Sequence, residues 1–338
     1  MFTPRKAQLL RTVVGEYIES AAPVASETLA RKHSLSVSPA TIRNDLANLE
    51  DEGYITRPYS SAGAVPSDKG YRFYVESMPK VEEVPPEFQY TIRYRFINGE
   101  RDIEGWTRLA ASMLAQLVSS VALVTYPRWP QSRLARLDLI YVQEFLAFIV
   151  LVLQEARLRK QLLPLDEPIP SEDLQVVANK LSHYLSGLSR EEILSTSLEL
   201  TPFEQRVADM VVDLMGQEDQ ERYSGHYIEG LRHLLRQPEF SDGGKVRELV
   251  EVLEDEELPK AVLAEVPEWG HLKVVIGGEN RVTLLHPFSM VVCQYGLPGG
   301  GAGSISAIGP TRMEYPRTIA GVKFISSIMT ELLAQVHG

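Results

Sequence analysis

The sequence predicts an α+β protein of several domains, and three observations carry that prediction. Residues 1–78 hold three short amphipathic helices and a two-stranded hairpin. Mixed helix and strand patterns begin near residue 104 and resume near 266, and mostly helical text fills the stretch between 190 and 265. A chain of 338 residues with 44% apolar content can build two or three cores of this kind.

Thr3 and Pro4 open the first helix, whose Leu9/Leu10, Val13/Val14 and Tyr17/Ile18 pairs recur every four residues and can cover two further helices. Ser26 caps a short second helix running through His33, with Leu29 and Ala30 inward. The residues SLSV make a four-residue turn into a third helix. There Ser38 is the cap and Pro39 suits the first helical position, because its ring fixes φ and its missing N–H would be unpaired anyway. Gly53 ends this helix. YITRPYS and AVP then read as two strands, with residues 60–63 as the turn between them.

In the third helix Ile42, Leu46 and Leu49 share one face, while Ala40, Arg43, Asn44 and Ala47 point away from it. Arg and Asn match the guanine and adenine edges of the major groove, and small neighbours allow close approach. By itself this helix could be an ordinary solvated one. The flanking helices and the hairpin turn it into a helix-turn-helix with a wing. DNA contacts are therefore expected from Ser38, Thr41, Arg43, Asn44, Ala47 and Asn48 on the helix, and from Arg57, Ser61, Gly63 and Lys69 in and after the wing.

The net charge of −11 is unevenly spread. Through residue 75 there are nine Lys or Arg against eight Asp or Glu, a balance of +1 that leaves −12 for the rest. Counterion release needs cations near phosphates rather than a basic whole protein, so an acidic body with Arg43, Arg57, Lys69 and Arg72 on its head suits binding through the head alone.

Residues 79–103 read as a linker or short arm, with Pro79, Pro85 and Pro86 and a mixed QYTIRYRF segment. From Trp106, the positions Leu109, Met113 and Leu117 give a long helix. Strands follow at VALVTY, RLDLIYV and FLAFIVLVL, with an outgoing strand near 157–163. LQVVANKLSHYLSGL, REEILSTSL, PFEQRVADMVVDLMGQ, IEGLRHLLRQ and KVRELVEVLEDEEL read as helices, with strand-like YSGHYI among them. HLKVVIGGE, SMVVCQYGL and SISAIGP return to strand, and a last helix runs over about 318–336. The domains so delimited are 1–78, the linker 79–103, 104–189, an insertion over 190–265, and 266–338.

Other function classes find little support. The glycine loop LPGGGAG has neither phosphate-binding pattern and reads as a hairpin turn. The seven histidines form no H-x-x-x-H or H-x-H pair, and the carboxylates of EVLEDEEL read as a solvated helix end. Cys293 is the single cysteine and sits in an apolar run, as a buried structural thiol would. The longest apolar run, residues 145–153, is too short for a bilayer that needs about 20 residues, and MFTPRK lacks the apolar stretch of a signal peptide. No catalytic residue, metal site or cofactor is expected, nor any membrane association.

PVASETLA, SPATIRNDLANLEDEGYI and SAGAVPSDKGYRFYV together resemble the winged helix of the HrcA family, bacterial repressors of heat-shock chaperone genes. GSISAIGPTRMEY extends the resemblance to the C-terminus. It implies a GAF-like α/β domain interrupted by a mostly helical dimerisation insertion. It also implies a cytoplasmic homodimer on an inverted-repeat operator, the CIRCE element, repressing chaperonin and DnaK-type operons, with the chaperonin GroEL keeping the repressor active. In one place the chain departs from the family: Ala64 stands after SAG where a basic residue is usual. That removes a phosphate or minor-groove contact and shifts the load to Arg57 or Lys69. The alternative is a metabolite-sensing repressor of the same build, but FLAFIVLVL is nearly all apolar and reads as core rather than ligand pocket.

Overall fold

A computed structural model describes residues 3–32, 38–58, 62–78, 83–99, 102–128, 131–154, 158–220, 225–240, 257–298 and 300–337. The chain divides into two compact units, one of Met1–Pro127, Gly225–Leu297 and Ala302–Gly338, the other of Arg128–Ser224 with Pro298–Gly301.

The first unit begins with the head. Helix α1 (Pro4–Ser20) starts where Thr3 Oγ1 accepts the Lys6 N–H and stops at Ala21, whose φ of 52° sends its N–H back to the Tyr17 carbonyl. Helix α2 (Ser26–Lys32) is followed by α3 (Pro39–Asp51), where Ser38 Oγ accepts the Thr41 N–H at 3.2 Å. Gly53, at φ 77°, ends α3 as expected, and the Tyr54 N–H closes on the Leu49 carbonyl. Leu9, Leu10, Val13, Val14, Leu29, Ile42, Leu46 and Leu49 are buried, so the three apolar stripes do meet. Strands β1 (Ile55–Thr56) and β2 (Val65–Pro66) pair antiparallel as the wing. Residues 60 and 61 of the expected turn, and His33, lie outside the described residues.

A fourth head helix, α4 (Asp68–Glu76), was not foreseen, although Ser67 supplies its cap by accepting the Gly70 N–H. The expected linker likewise contains a helix, α5 (Pro86–Asn98), which departs from the reading of 79–103 as an arm. Pro86 takes the first helical position, and Ile92 and Phe96, four apart, are buried on one side.

The rest of this unit is a five-stranded antiparallel sheet in the order β7-β3-β10-β9-β8. Its strands are β3 (Val121–Thr125), β7 (His226–Glu229), β8 (Leu272–Ile276), β9 (Phe288–Gly296) and β10 (Ala302–Pro310). Helices α6 (Ile103–Val118) and α12 (Tyr315–His337) lie against one face. On the other, Val121, Leu123, Met290, Val292 and Ile308 pack with Leu234 of α10 (Leu231–Leu234) and with Leu258, Ala261 and Val262 of α11 (Glu257–Ala264). Strand β3 is therefore buried along its whole length. The glycine loop joins β9 to β10 as a hairpin, as expected. Most of the KVRELVEVLEDEEL segment is outside the described residues.

The head leans on this sheet through α4 and α1. Arg72 binds Glu279 and the Val274 carbonyl, Asp68 Oδ2 accepts the Gly278 N–H at 2.8 Å, and the rings of Tyr71 and Tyr315 lie 6.0 Å apart. Arg312 donates to the Ile18 carbonyl at 2.9 Å and also holds Gln237 and Glu239.

The second unit is an antiparallel meander, β4 (Leu134–Gln143), β5 (Leu146–Leu153) and β6 (Leu158–Pro164), with α7 (Ser171–Leu185), α8 (Arg190–Ser195) and α9 (Pro202–Gln220). One sheet face buries Leu137, Leu139, Ile149, Leu151 and Leu163 against Leu174, Leu181, Val207, Val211 and Met215. Ser182 of α7 exchanges hydrogen bonds with the N–H and C=O of Leu137, which occupies part of the β4 edge. The opposite face is open and carries Arg136, Asp138 and Lys160 beside an apolar row. Ile140, Phe148 and Leu162 align across the three strands, and Ile140 and Leu162 are about half exposed. FLAFIVLVL is thus core on alternate residues only.

These units move the insertion boundaries. Residues 128–189, expected with the interrupted domain, build the second unit together with α8 and α9, while β7, expected inside the insertion, belongs to the sheet as the partner of β3. The insertion is Arg128–Ser224 rather than 190–265. Strands stand on both sides of the first boundary, β3 before it and β4 after it, and the partner of β7 lies about a hundred residues upstream, so the text carried no local mark of it.

Candidate nucleic-acid interface

The inner face of α3 is fixed by Ile42, Leu46 and Leu49, so its outer face is fixed as well. Arg43, Asn44, Ala47 and Asn48 are exposed there, with Ala40 beside them. The side chains of Asn44 and Asn48 have no hydrogen-bond partner among the described residues, leaving their amides available to base edges. Ser38 and Thr41 mark the N-terminal end, with Oγ and Oγ1 3.0 Å apart. A helix N-terminus with exposed hydroxyls suits a phosphate.

Arg43 is held by two groups that sequence reasoning missed. Its Nη2 lies 2.6 Å from Glu27 Oε1, and its Nε donates to Ser26 Oγ at 3.3 Å. Both acceptors come from the first turn of α2, which packs against α3. The spacing of 16 and 17 residues gives no local signal of this.

The wing residues divide. Arg57 is half-buried and lies 3.4 Å from Glu50, which leaves part of its guanidinium at the surface. Lys69 is exposed, yet its ammonium sits 4.2 Å from the centre of the Tyr54 ring and donates to the Glu52 carbonyl at 2.8 Å, so it caps the C-terminal end of α3. Gly63 serves packing: a Cβ there would come within 2.6 Å of the Pro23 and Val24 backbone. Ser61 lies outside the described residues.

Two expectations about this surface need correction. Ala64 is 1% exposed and exchanges both backbone hydrogen bonds with Val24, so position 64 faces the interior of the head and not a phosphate. Arg72 is turned into the head–sheet contact, where the Glu279 carboxylate raises its pKa further. Its charge is already engaged. Among the described residues no group of three His, Cys, Asp or Glu could hold a metal, and no helix is long and apolar enough to cross a membrane.

Comparison with known proteins decides the family. Residues 104–319 match the family model described as HrcA protein C terminal domain. The chain belongs to the HrcA family. Residues 16–67 match the DeoR-like helix-turn-helix domain, which places α2, α3 and the wing strands within a DNA-binding module. HrcA proteins named heat-inducible transcription repressor are similar to this chain over its full length. That of Dehalococcoides mccartyi strain 195 is 37% identical, covering 100% of this chain and 98% of the relative, and that of Roseiflexus sp. strain RS-1 is 38% identical, covering 99% and 96%. The crystal structure of a hypothetical protein, 24% identical, superposes with a TM-score of 0.66 over 99% of this chain and 100% of the other, and so shares its fold. HrcA is a family of repressors rather than enzymes.

Proposed function

We propose that this chain represses heat-shock chaperone genes in the bacterial cytoplasm by binding, as a homodimer, an inverted-repeat operator of the CIRCE type. The observation that carries the reading is the outer face of α3, where Arg43, Asn44, Ala47 and Asn48 stand exposed on a helix whose other side is locked into the head. In the major groove Arg43 suits guanine and the asparagines suit adenine, while Ser38, Thr41 and Arg57 suit flanking phosphates. Repression is then occlusion of the promoter and needs no chemistry.

The homodimer is supported by the open face of β4–β5–β6. Ile140, Phe148 and Leu162 form an apolar row on a sheet whose β4 edge is partly occupied by Ser182, and a second copy is the occupant that a two-fold axis would bring. One head carries little net charge, so linking two raises affinity through effective concentration. A part for the chaperonin rests on the family resemblance alone.

The test is selection of bound duplexes from a random pool, followed by salt titration of the selected site. An inverted repeat is expected. Arg43→Ala should relax preference at one position of each half-site and cost about 1–3 kcal/mol, whereas Arg57→Ala should weaken all duplexes alike and flatten the salt slope by about one. Selection of no preferred sequence would overturn the reading.

The metabolite-sensing alternative draws on one observation, a cleft of about 530 Å³ lined by Tyr94, Arg95, Arg108 and Glu229 among others. If Arg108→Ala and Glu229→Ala leave operator binding and its temperature response unchanged, that cleft plays no part in regulation.

A further inference from the structure

We infer that Glu27, with Ser26, is a positioning residue for base recognition: it clamps one edge of the Arg43 guanidinium so that the other edge is presented to DNA. The inference rests on the base-reading role proposed for Arg43. A guanidinium carries five N–H groups in one plane, one on Nε and two on each Nη. In the head, Nε donates to Ser26 Oγ at 3.3 Å and Nη2 donates to Glu27 Oε1 at 2.6 Å. These two donors form the side edge of the fork. Both N–H groups of Nη1 and the second of Nη2 remain, with no partner among the described residues, and one from each Nη together forms the end edge. That edge is the pair of parallel donors that fits guanine O6 and N7.

Exposure argues that this pair is not there for stability. The Arg43 and Glu27 side chains are 62% and 72% exposed, and exposed pairs add little to folding. Nor is Glu27 a charge that general DNA binding would select, since it stands at the start of α2 beside the groove-facing helix, where a carboxylate repels phosphates. A residue that costs non-specific affinity and adds little stability is explained if it improves discrimination. A flexible arginine loses rotamer freedom on reaching a base and can settle on a neighbouring phosphate instead. One already clamped loses less and is directed at the base.

The proposal separates Glu27's position from its charge. Glu27→Gln should lower the ratio of operator to random-duplex affinity by about two- to fivefold, the range open to an exposed charged contact, with random-duplex affinity rising. Glu27→Asp keeps the charge but draws the carboxylate back by one carbon. It should lose discrimination as the Gln variant does, with random-duplex affinity at the parental level. The loss should fall on the same operator position as in Arg43→Ala, and the double variant should lose no more than Arg43→Ala alone.

If Arg43→Ala relaxes base preference while both Glu27 variants keep the parental ratio, the clamp is wrong and base reading by Arg43 stands. If Glu27→Asp keeps full discrimination and Glu27→Gln loses it, charge alone acts and the positional claim falls. If Arg43→Ala leaves base preference untouched, the base-reading role itself fails, and the clamp with it. Thermal unfolding of each variant within a degree or two of the parent confirms that the head is folded.

Discussion

Arg72 of α4 grips Glu279, in the turn after β8, with two nitrogens, and the same guanidinium reaches the Val274 carbonyl at 2.7 Å. Next to it Asp68 accepts the Gly278 N–H, and Gly277, at φ 52°, lies so close that a Cβ would meet the Asp68 carboxylate at 2.3 Å. The DNA-binding head is thereby fastened to the sheet in one orientation. Arg72→Ala should weaken that attachment by about 1 kcal/mol, the scale of a partly exposed ion pair, read as faster hydrogen exchange in α4. It should leave the salt slope of DNA binding unchanged, because this charge does not face phosphates. Operators whose half-site spacing is altered by one base pair should then bind almost as well as the selected one, a tolerance the parent lacks.

Ala64→Arg tests the buried wing position. A guanidinium at a site that is 1% exposed must displace the packing between the wing and Val24, at an expected cost of about 1–3 kcal/mol for overpacking. Thermal unfolding should show a lowered midpoint, and salt titration an unchanged slope. A steeper slope with full stability would show that the side chain escapes to the DNA after all.

Ile140→Lys and Leu162→Glu place charges on the open row of the second unit. Both positions are about half exposed, so the fold should persist by circular dichroism. Mass in solution should fall to that of one chain, and affinity for the inverted repeat should drop on the order of a hundredfold towards that of a half-site. An unaltered dimer would place the two-fold contact elsewhere.

What the sequence disclosed depended on how local the physics was. Thr3, Ser38 and Gly53 act on neighbours within one helical turn, so the ends they set were legible, and the four- and three-residue spacing of Ile42, Leu46 and Leu49 gave the outer face of α3 directly. Ser67 and Pro86 were equally local signals for α4 and α5, hidden by apolar positions too few to stand out in short segments. The rest was non-local. Ala64 reads as a wing residue until its bridge to Val24, forty residues back, shows it buried. Arg43 reads as an unattached groove residue until α2 brings Glu27 beside it. The insertion reads as starting at 190 because nothing in the text says that β7 pairs with β3.

Cys293 on β9 faces α12, and burial pushes its thiol up to about 11. Because the folded state favours the neutral thiol, the associated stability is present below the ordinary thiol range and fades as pH rises towards that value. At pH 8 a disulfide reagent should react with the native protein many times more slowly than with the denatured chain. Reaction at equal rates in both states would mean the sheet opens readily at β9.

The insertion leaves and re-enters its host through one antiparallel pair of strands. Thr125 stands opposite His226, and the Tyr126 N–H donates to the Gly225 carbonyl at 2.9 Å. The exit and the return are therefore a single hydrogen bond apart, and the host sheet closes around them without help from what lies between. Heat can melt such a cassette while the strands that carry it stay zipped, so the calorimetric trace of the whole chain should resolve into two steps. On the proposed pairing, a cassette that melts first would part a warmed repressor from its twin while its head keeps its shape. Cooling then has only the cassette to rebuild.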